Sequence, residues 1–210
     1  MTPKAHKHLS KNDPVLKRLI REHGKCSLKP EKRRAPFQSL VMAVAHQQLN
    51  GTAANTILTR FKKLFPGRKF PKPEDLSKVS DEQIRAAGFS FAKIKSIRDI
   101  AEKTLSGVIP SSRQIMKLND DEIVARLTEV RGVGRWTVEM LLIFQLGRHD
   151  VLPAGDFGVR SGFRVAYKKR EMPTVKELLA HGEKWKPHRT TAAWFLWCAT
   201  DAAKDAKKKK

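Results

Sequence analysis

Cysteine is scarce in this chain of 210 residues, which contains only Cys26 and Cys198. Two cysteines are too few for a disulfide framework or for a cluster held by four thiolates, and their scarcity fits a reducing compartment. Long apolar runs are also missing, since no stretch approaches the roughly 18–20 residues that span a bilayer. The N-terminal sequence MTPKAHKHLSKNDP lacks the apolar core of a secretory signal. We therefore expect a soluble intracellular protein, in the cytoplasm or nucleoid, or in the nucleus of a eukaryote.

Acidic residues are outnumbered about two to one, because 43 Lys+Arg face 21 Asp+Glu and the formal net charge is +22. Such an imbalance favours a polyanionic partner. Nucleic acid is the first candidate, since phosphate contacts release counterions and drive binding. An ordinary basic soluble protein is the alternative that charge alone leaves open. The C-terminal DAAKDAKKKK is a charge run that we expect to be a solvated extension.

Signals for β-strands are nearly absent, since period-2 alternation is rare and the chain has a single tyrosine. Apolar residues recur instead at helical spacing, as in FQSLVMAVAHQQL and AANTILTRFKKLF. Capping boxes are indicated at Ser80 with Gln83, and further helix starts at Asn119 and Thr174. The sequence predicts an all-α fold of roughly ten helices with loose ends, the first at residues 1–13.

A glycine-containing turn joins two helical segments in LTEVRGVGRWTVEMLLIF. Two glycines permit a tight turn with positive φ, and the valine between them can fill the junction of the two helices. The exposed amides of such a turn, with the start of the next helix, suit a phosphate. We assign this phosphate-binding role to Gly132, Val133, Gly134, Arg135 and Thr137. An ordinary helix connection is the alternative for these residues.

The combination of this hairpin with the downstream sequence DVLPAGDFGVRSGF is more specific. Together they resemble the helix-hairpin-helix (HhH-GPD) DNA glycosylase superfamily, whose signature is a hairpin, a Gly/Pro-rich loop and a catalytic Asp. The nearest likeness is to a short form of the DNA-3-methyladenine glycosylase II branch, over roughly residues 35–200. The resemblance implies a two-lobed fold with the active site in the interlobe cleft. One lobe is expected from residues 1–52 plus 151–210, and the other from residues 53–150, with the helix-hairpin-helix at about 121–146.

The resemblance makes Asp156 the candidate catalytic residue. Excision of a base passes through an oxocarbenium-like transition state, and a nearby carboxylate stabilises the charge on the sugar and orients the attacking water. Alkylated purines such as 3-methyladenine and 7-methylguanine are already cationic, so their departure needs no further acid. The alternative is that Asp156 only caps the following helix. Arg160, four residues later, is expected either to pair with Asp156 or to reach a phosphate.

Position 136 distinguishes two mechanisms within the resembled superfamily. Bifunctional members carry a lysine here that attacks C1′ and leads to strand cleavage through a Schiff base. This chain has Trp136, which implies a monofunctional enzyme that leaves an abasic site. We expect Trp136 and Trp185 to line the base pocket, where an indole stacks on a flipped base and attracts a cationic one. Core packing is the alternative for both, and it is favoured for Trp194 and Trp197, which share a helix face.

The resembled family fills the space left by the flipped base with a side chain from the loop that is HQQLNG in this chain. Leu49 is the wedge candidate, with packing at a helix end as its alternative. Asn50 is assigned to the minor groove or the opposite base, and Gln48 to the minor groove, with contacts to the protein backbone as its alternative. Thr52 is expected to cap the next helix, and His46 to be a structural hydrogen-bonding residue, with base recognition as its alternative.

Other basic residues are candidates for phosphate contacts: Arg131 beside the hairpin, and Lys93 and Lys95 after GFSF. The role of Arg189 stays open. No histidine spacing indicates a catalytic metal, and the four cysteines of the superfamily's iron–sulfur branch are missing. The resemblance allows a monovalent cation at the hairpin. We expect a monomer that acts in base excision repair on double-stranded DNA containing alkylated bases.

Four other functions stay open at this point. A glycosylase for deaminated or oxidised bases shares every motif above, and a bifunctional glycosylase needs a lysine elsewhere in the cleft. A non-catalytic helix-hairpin-helix DNA-binding protein explains the charge and Gly-Val-Gly, but not an acid behind Pro-Ala-Gly or the Leu49 loop. A ribosomal-type RNA-binding protein explains the charge alone.

Overall fold

The computed structural model describes residues 3–31 and 34–208. Within these ranges the chain is helical and has no β-strand, so the predicted all-α class is confirmed. The chain divides into two compact units, a terminal unit of residues 1–31 and 142–210 and a central unit of residues 32–141. No helix in the described ranges is long and apolar enough to cross a membrane.

Twelve α-helices account for most of the described residues. In chain order they are α1 (Pro3–Asn12), α2 (Pro14–His23), α3 (Pro36–His46), α4 (Gly51–Lys63), α5 (Asp81–Ala86), α6 (Phe91–Leu105), α7 (Ser112–Ile115), α8 (Asp120–Thr128), α9 (Arg135–Leu141), α10 (Phe157–Ala166), α11 (Val175–Gly182) and α12 (Arg189–Lys208). Short 3-10 helices lie at Pro73–Lys78 and Glu183–Trp185, and a π-helical segment lies at Leu142–Leu146.

The ends of the chain are more regular than the sequence indicated. Helix α1 covers most of the segment expected to be loose, and α12 continues through most of the charged tail. Lys209 and Lys210, the last residues of that tail, lie outside the described residues. Capping boxes start α5, α8 and α11 at Ser80, Asn119 and Thr174, where the sequence predicts helix starts.

The central unit is built on α3 and α6, which pack on each other, while α3 also packs on α4 and α9. The apolar stripes of these helices meet in a core in which Leu40, Val44, Ile97 and Ile100 are fully buried. Side chains of this kind each contribute about 1.5–3 kcal/mol on burial. This packing explains why α3 belongs to the central unit, although the sequence placed the lobe boundary after residue 52.

The terminal unit is centred on α10 and α12, with α1 and α2 packed beside them. Its sequence boundary also differs from the expected one, because residues 142–150 belong to this unit. The hydroxyl of Thr190, at the start of α12, donates to the carbonyl of Arg148 at 2.8 Å and accepts from the amide of Val151 at 2.9 Å. These bonds attach the segment before residue 151 to the terminal core.

Trp185 lies in that core and not in a pocket, which corrects its predicted role as a base contact. Its side chain is fully buried, and its indole Nε1 donates to Oδ2 of Asp13 at 2.9 Å. The hydroxyl of Tyr167 donates to the same oxygen, and Nζ of Lys184 lies 3.1 Å from it. Because a stacked base needs an accessible ring face, Trp185 serves the terminal core.

Candidate active site

Asp156 ends a tight turn and begins α10. Its amide donates to the carbonyl of Pro153 at 2.9 Å, and its Oδ1 accepts from the amide of Val159 at 2.8 Å. Asp156 is therefore the N-cap of α10, which is the alternative role that the sequence left open for it. Capping does not exclude catalysis. The carboxylate of Asp156 is fixed at the start of α10, and its side chain is still partly accessible to solvent.

Trp197 of α12 supplies a second donor to the same carboxylate. Its indole Nε1 lies 2.8 Å from Oδ1 of Asp156, and its ring stacks on Phe144 with centroids 5.6 Å apart. The sequence favoured core packing for Trp197. Both Trp197 and Trp194 pack against the terminal core, Trp194 with its ring edge against Phe195. The half-buried indole of Trp197 in addition orients the candidate catalytic residue.

Two glycines of α10 allow α12 to come close enough for this contact. A Cβ on Gly158 would lie 2.8 Å from Cδ1 of Trp197, and a Cβ on Gly162 would lie 1.8 Å from the carbonyl oxygen of Leu196. The hydroxyl of Thr200 also donates to the carbonyl of Gly158 at 2.6 Å. The two glycines lie four residues apart on one helix face, a spacing that indicates close packing of α10 but not which helix packs there.

Arg189 holds the segment that leads to the acid. Its Nε donates to Oδ1 of Asp150 at 2.8 Å, and its Nη2 donates to Oδ2 at 2.9 Å and to the backbone carbonyl of Asp150 at 3.0 Å. A bidentate pair of this kind is geometrically specific. The role that the sequence left open for Arg189 is therefore structural, since it fixes the start of the loop that ends at Asp156.

Phe157 and Arg160 lie in the first turn of α10, just after the acid. Nε of Arg160 donates to the carbonyl of Pro173 at 2.8 Å, so this arginine ties α10 to the loop before α11. Phe157, the residue directly after the acid, is 70% exposed. An exposed aromatic ring directly after the candidate acid is a residue that the sequence reasoning missed.

The predicted hairpin lies between α8 and α9 in the central unit. Gly132 has φ 75°, and a Cβ there would lie 2.4 Å from Oγ of Ser96. Val133 is buried and fills the junction as predicted. Gly132 and Gly134 are exposed, whereas Thr137 is only 4% exposed. The side chain of Thr137 therefore packs in the central unit, and a phosphate contact through the backbone amides of this turn stays a prediction.

Arg135 and Trp136 begin α9 on the accessible side of this hairpin. Nε of Arg135 lies 3.2 Å from Oε1 of Glu139, and the arginine side chain is 68% exposed. Trp136 is 48% exposed. Its ring is thus accessible to a ligand, and the alternative of a wholly packed tryptophan does not apply.

The wedge loop, residues 47–50, follows α3. Leu49 is 40% exposed, which differs from the packed helix-end alternative. Gln48 has φ 57°, a left-handed conformation that non-glycine residues rarely adopt. Oδ1 of Asn50 accepts from the amide of Ala53 at 2.8 Å, so Asn50 and not Thr52 caps α4. This bond engages the side-chain oxygen of Asn50, and a contact of this residue with DNA stays a prediction.

His46 and Lys93 support this loop from within the central unit. Nδ1 of His46 lies 2.8 Å from the carbonyl oxygen of Met42, which confirms a structural hydrogen-bonding role. Nζ of Lys93 donates to the carbonyls of Ala45 and Gln47 at 3.0 and 2.8 Å. The ammonium of Lys93 is bound by two backbone carbonyls, so the phosphate contact predicted for Lys93 is wrong. Lys95 is exposed, and its phosphate contact stays a prediction.

A match to a known protein family covers both the hairpin and the Asp156 loop. A model of the HhH-GPD superfamily base excision DNA repair proteins matches residues 41–188. DNA-3-methyladenine glycosylase 1 of Schizosaccharomyces pombe is 44% identical over 197 residues, which cover 92% of this chain and 86% of the relative.

Solved structures show the same fold. The 3-methyladenine DNA glycosylase of S. pombe in complex with abasic DNA has a TM-score of 0.84 at 44% identity, over 92% of this chain and 95% of that chain. The DNA-3-methyladenine glycosidase from Bacillus halodurans has a TM-score of 0.87 at 36% identity, over 97% of this chain and 92% of that chain. The chain therefore belongs to the HhH-GPD superfamily of base excision DNA repair proteins.

Proposed function

We propose that this protein is a monofunctional DNA glycosylase that hydrolyses the N-glycosidic bond of alkylated purines in duplex DNA and leaves an abasic site. The observation that carries the proposal is the Asp156 carboxylate, held at a helix start by the Val159 amide and the Trp197 indole. The 44% identity to a DNA-3-methyladenine glycosylase over most of both chains supports the substrate class.

The carboxylate of Asp156 acts on the sugar and on water. As the bond from C1′ to the base nitrogen breaks, its electron pair leaves with the base, which turns a cationic alkylated purine into a neutral product. Positive charge grows on the sugar, and a fixed carboxylate stabilises it without reorganising. Water then adds to C1′, and Asp156 accepts its proton or orients it for transfer to solvent.

Exposed rings supply the surfaces on which a flipped base can stack. Trp136 and Phe157 are 48% and 70% exposed. An electron-rich ring face attracts a cation, so such rings favour an alkylated purine over its neutral parent. Because no lysine stands at position 136, the proposal includes no Schiff base and no strand cleavage at this position.

The hairpin provides the contact to the DNA backbone. The first turn of α9 has amides without an intrahelical partner, and the exposed Gly132, Gly134 and Arg135 surround it. A formal charge of +22 adds attraction that does not depend on sequence. Leu49, exposed on the wedge loop, is proposed to fill the space left by the flipped base.

A monovalent cation at the hairpin stays a prediction. The carbonyl of Val130 accepts from the amide of Val133 at 3.0 Å, the carbonyl of Gly132 accepts from Gln47 at 2.8 Å, and that of Glu129 accepts from Lys103 at 2.5 Å. These three carbonyls are already hydrogen-bonded, and no step of the proposed reaction depends on an ion.

The proposal is tested by incubating the protein with methylated duplex DNA and identifying the released bases by chromatography. We expect release of 3-methyladenine or 7-methylguanine, intact strands until the abasic sites are cleaved by alkali, and no covalent adduct after borohydride reduction. Trp136→Ala should lower release by about tenfold or more, as loss of one base-stacking contact typically does, while Trp136→Phe retains most activity. Release of only deaminated or oxidised bases, or a trapped adduct, would overturn it.

A further inference from the structure

The first turn of α6 carries an ammonium that points at the end of another helix. Lys93 is partly buried, and its Nζ donates to the carbonyls of Ala45 and Gln47 at 3.0 and 2.8 Å. Carbonyls at a helix C-terminus lack intrahelical partners and carry partial negative charge. Burial lowers the pKa of Lys93, because partial removal from water disfavours the charged ammonium. Lys93 thus fixes the point at which α3 ends and the wedge loop begins.

The same face of α6 supports the hairpin. Ser96, one turn after Lys93, lies directly against Gly132, where an added Cβ would be 2.4 Å from its Oγ. Oδ2 of Asp99, a further turn along, accepts from the amide of Arg131 at 2.7 Å. Residues three apart on a helix lie on one face. One stripe of α6 therefore touches the wedge loop at one end and the hairpin at the other.

A direct bond joins the two loops as well. The carbonyl of Gln47 accepts from Lys93, while Nε2 of the same glutamine donates to the carbonyl of Gly132 at 2.8 Å. Gln47 is thus held by α6 on one side and holds the hairpin on the other. Lys93, Gln47 and Gly132 form a continuous chain of hydrogen bonds across the central unit.

The wedge loop needs this support because its backbone is locally unfavourable. Gln48, between Gln47 and Leu49, has φ 57°. A left-handed non-glycine residue persists only where its surroundings hold it. Leu49 is itself 40% exposed, so packing of its own side chain restrains the loop only in part.

We propose that Lys93 is a positioning residue that sets Leu49 relative to the hairpin, so that the wedge enters the helix stack while the hairpin holds the backbone of the same duplex. This inference rests on the proposed glycosylase function. Lys93 contacts neither the base nor the sugar. It acts through the wedge loop, and its removal therefore penalises the extrusion of the base and not the bond cleavage that follows.

The test compares Lys93→Met with Lys95→Met, which removes an exposed charge from the same helix two residues away. Single-turnover release is measured from two duplexes, one with the alkylated base fully paired and one with the same base in an unpaired bulge. We expect Lys93→Met to lower release from the paired duplex by about ten- to a hundredfold, the effect of small misplacement, and release from the bulge by less than threefold. Lys93→Arg should restore most of the paired rate.

Equal losses on both duplexes would overturn the proposal, as would a loss of the same size and pattern in Lys95→Met. A second variant, Gln47→Ala, breaks the bond to the hairpin and leaves the Lys93 contacts with backbone carbonyls in place. It should show the same preference for the bulge, and an unchanged paired rate would contradict the coupling. Urea unfolding of each variant separates misplacement from loss of fold.

Failure of the proposed function is recognised separately. If the wild type releases no alkylated base from either duplex, the chemistry is wrong, and wedge insertion is read from the fluorescence of 2-aminopurine placed opposite an abasic site. The wild type should unstack that probe on binding and raise its fluorescence, whereas Lys93→Met should bind with a smaller rise. An identical rise in both proteins would overturn the positioning role.

Discussion

Trp197 donates the hydrogen of its indole Nε1 to Oδ1 of Asp156 across 2.8 Å, so that a tryptophan of the last helix orients the acid at the start of α10. The same oxygen accepts the amide of Val159 at 2.8 Å. Two donors on one oxygen define the plane of the carboxylate more narrowly than a helix cap alone. The rotamer of Asp156 is thus set by the packing of α10 on α12.

Replacing Trp197 by phenylalanine should lower the single-turnover rate of base release by about ten- to a hundredfold, the effect of losing one hydrogen bond to a charged group. The aromatic stack on Phe144 is retained in this variant, so the loss reports on the Nε1 donor. Trp194→Phe, on the same helix and against Phe195, is the matched control. An equal loss in both variants would contradict the specific role of Trp197.

The close approach of α10 and α12 makes Gly162 intolerant of any side chain. Because a Cβ would lie 1.8 Å from the carbonyl of Leu196, Gly162→Ala must separate the two helices and should lower the free energy of unfolding by about 1–3 kcal/mol. Gly51→Ala, also at a helical glycine but with no atom within 4 Å, should leave it unchanged or slightly raised. Urea denaturation of the two variants measures this difference. Equal unfolding midpoints would contradict the close packing of α10 on α12 at Gly162.

Asp13 should make the terminal unit sensitive to acid. Burial alone raises the pKa of this carboxyl, but hydrogen bonds from His181, Tyr167, Trp185 and Lys184 outweigh it and hold the pKa well below its usual range. The folded pKa thus lies below the unfolded value of about 3.9. The stabilisation is present above that value and is lost as the pH falls towards the folded pKa.

Unfolding midpoints measured from pH 7 down to pH 2 test this expectation. Asp13→Asn should lower the free energy of unfolding at pH 7 by about 3 kcal/mol, as removal of one partner of a buried pair does, and should flatten its fall below about pH 4. Asp201→Asn removes a carboxylate that is 71% exposed and should change neither quantity. A variant at Asp13 with wild-type pH dependence would show that this carboxyl is not the titrating group.

Much of the fold was predictable because local signals agree with the tertiary structure. Ser80, Asn119 and Thr174 start helices where their spacing to Gln or Glu indicates a capping box. The lobe boundaries were not predictable in this way. The attachment of α3 to the central unit, and of residues 142–150 to the terminal unit, depends on long-range packing that no local pattern contains.

For the site, the sequence indicated the acid and the hairpin but not the residues that position them. Asp156 and Gly132 follow short motifs, whereas the bond from Trp197 depends on a helix crossing 41 residues away in the chain. The sequence also did not predict the roles of two tryptophans. Trp185, expected in the base pocket, is fully buried, and Trp197, expected only to pack in the core, also contacts the acid. Charge was equally ambiguous for Lys93, which the sequence assigned to DNA and which binds two backbone carbonyls.

The central claim, that Asp156 is the catalytic carboxylate, is tested most directly by single-turnover base release from methylated duplex DNA with Asp156→Asn. Asparagine is as good a helix cap as aspartate and keeps an oxygen for Trp197, so folding and DNA affinity should match the wild type. We predict that release falls by about a hundredfold or more, the loss expected from removing one strong electrostatic stabiliser. Release within a few-fold of the wild-type rate, with folding and DNA binding intact, would contradict the account.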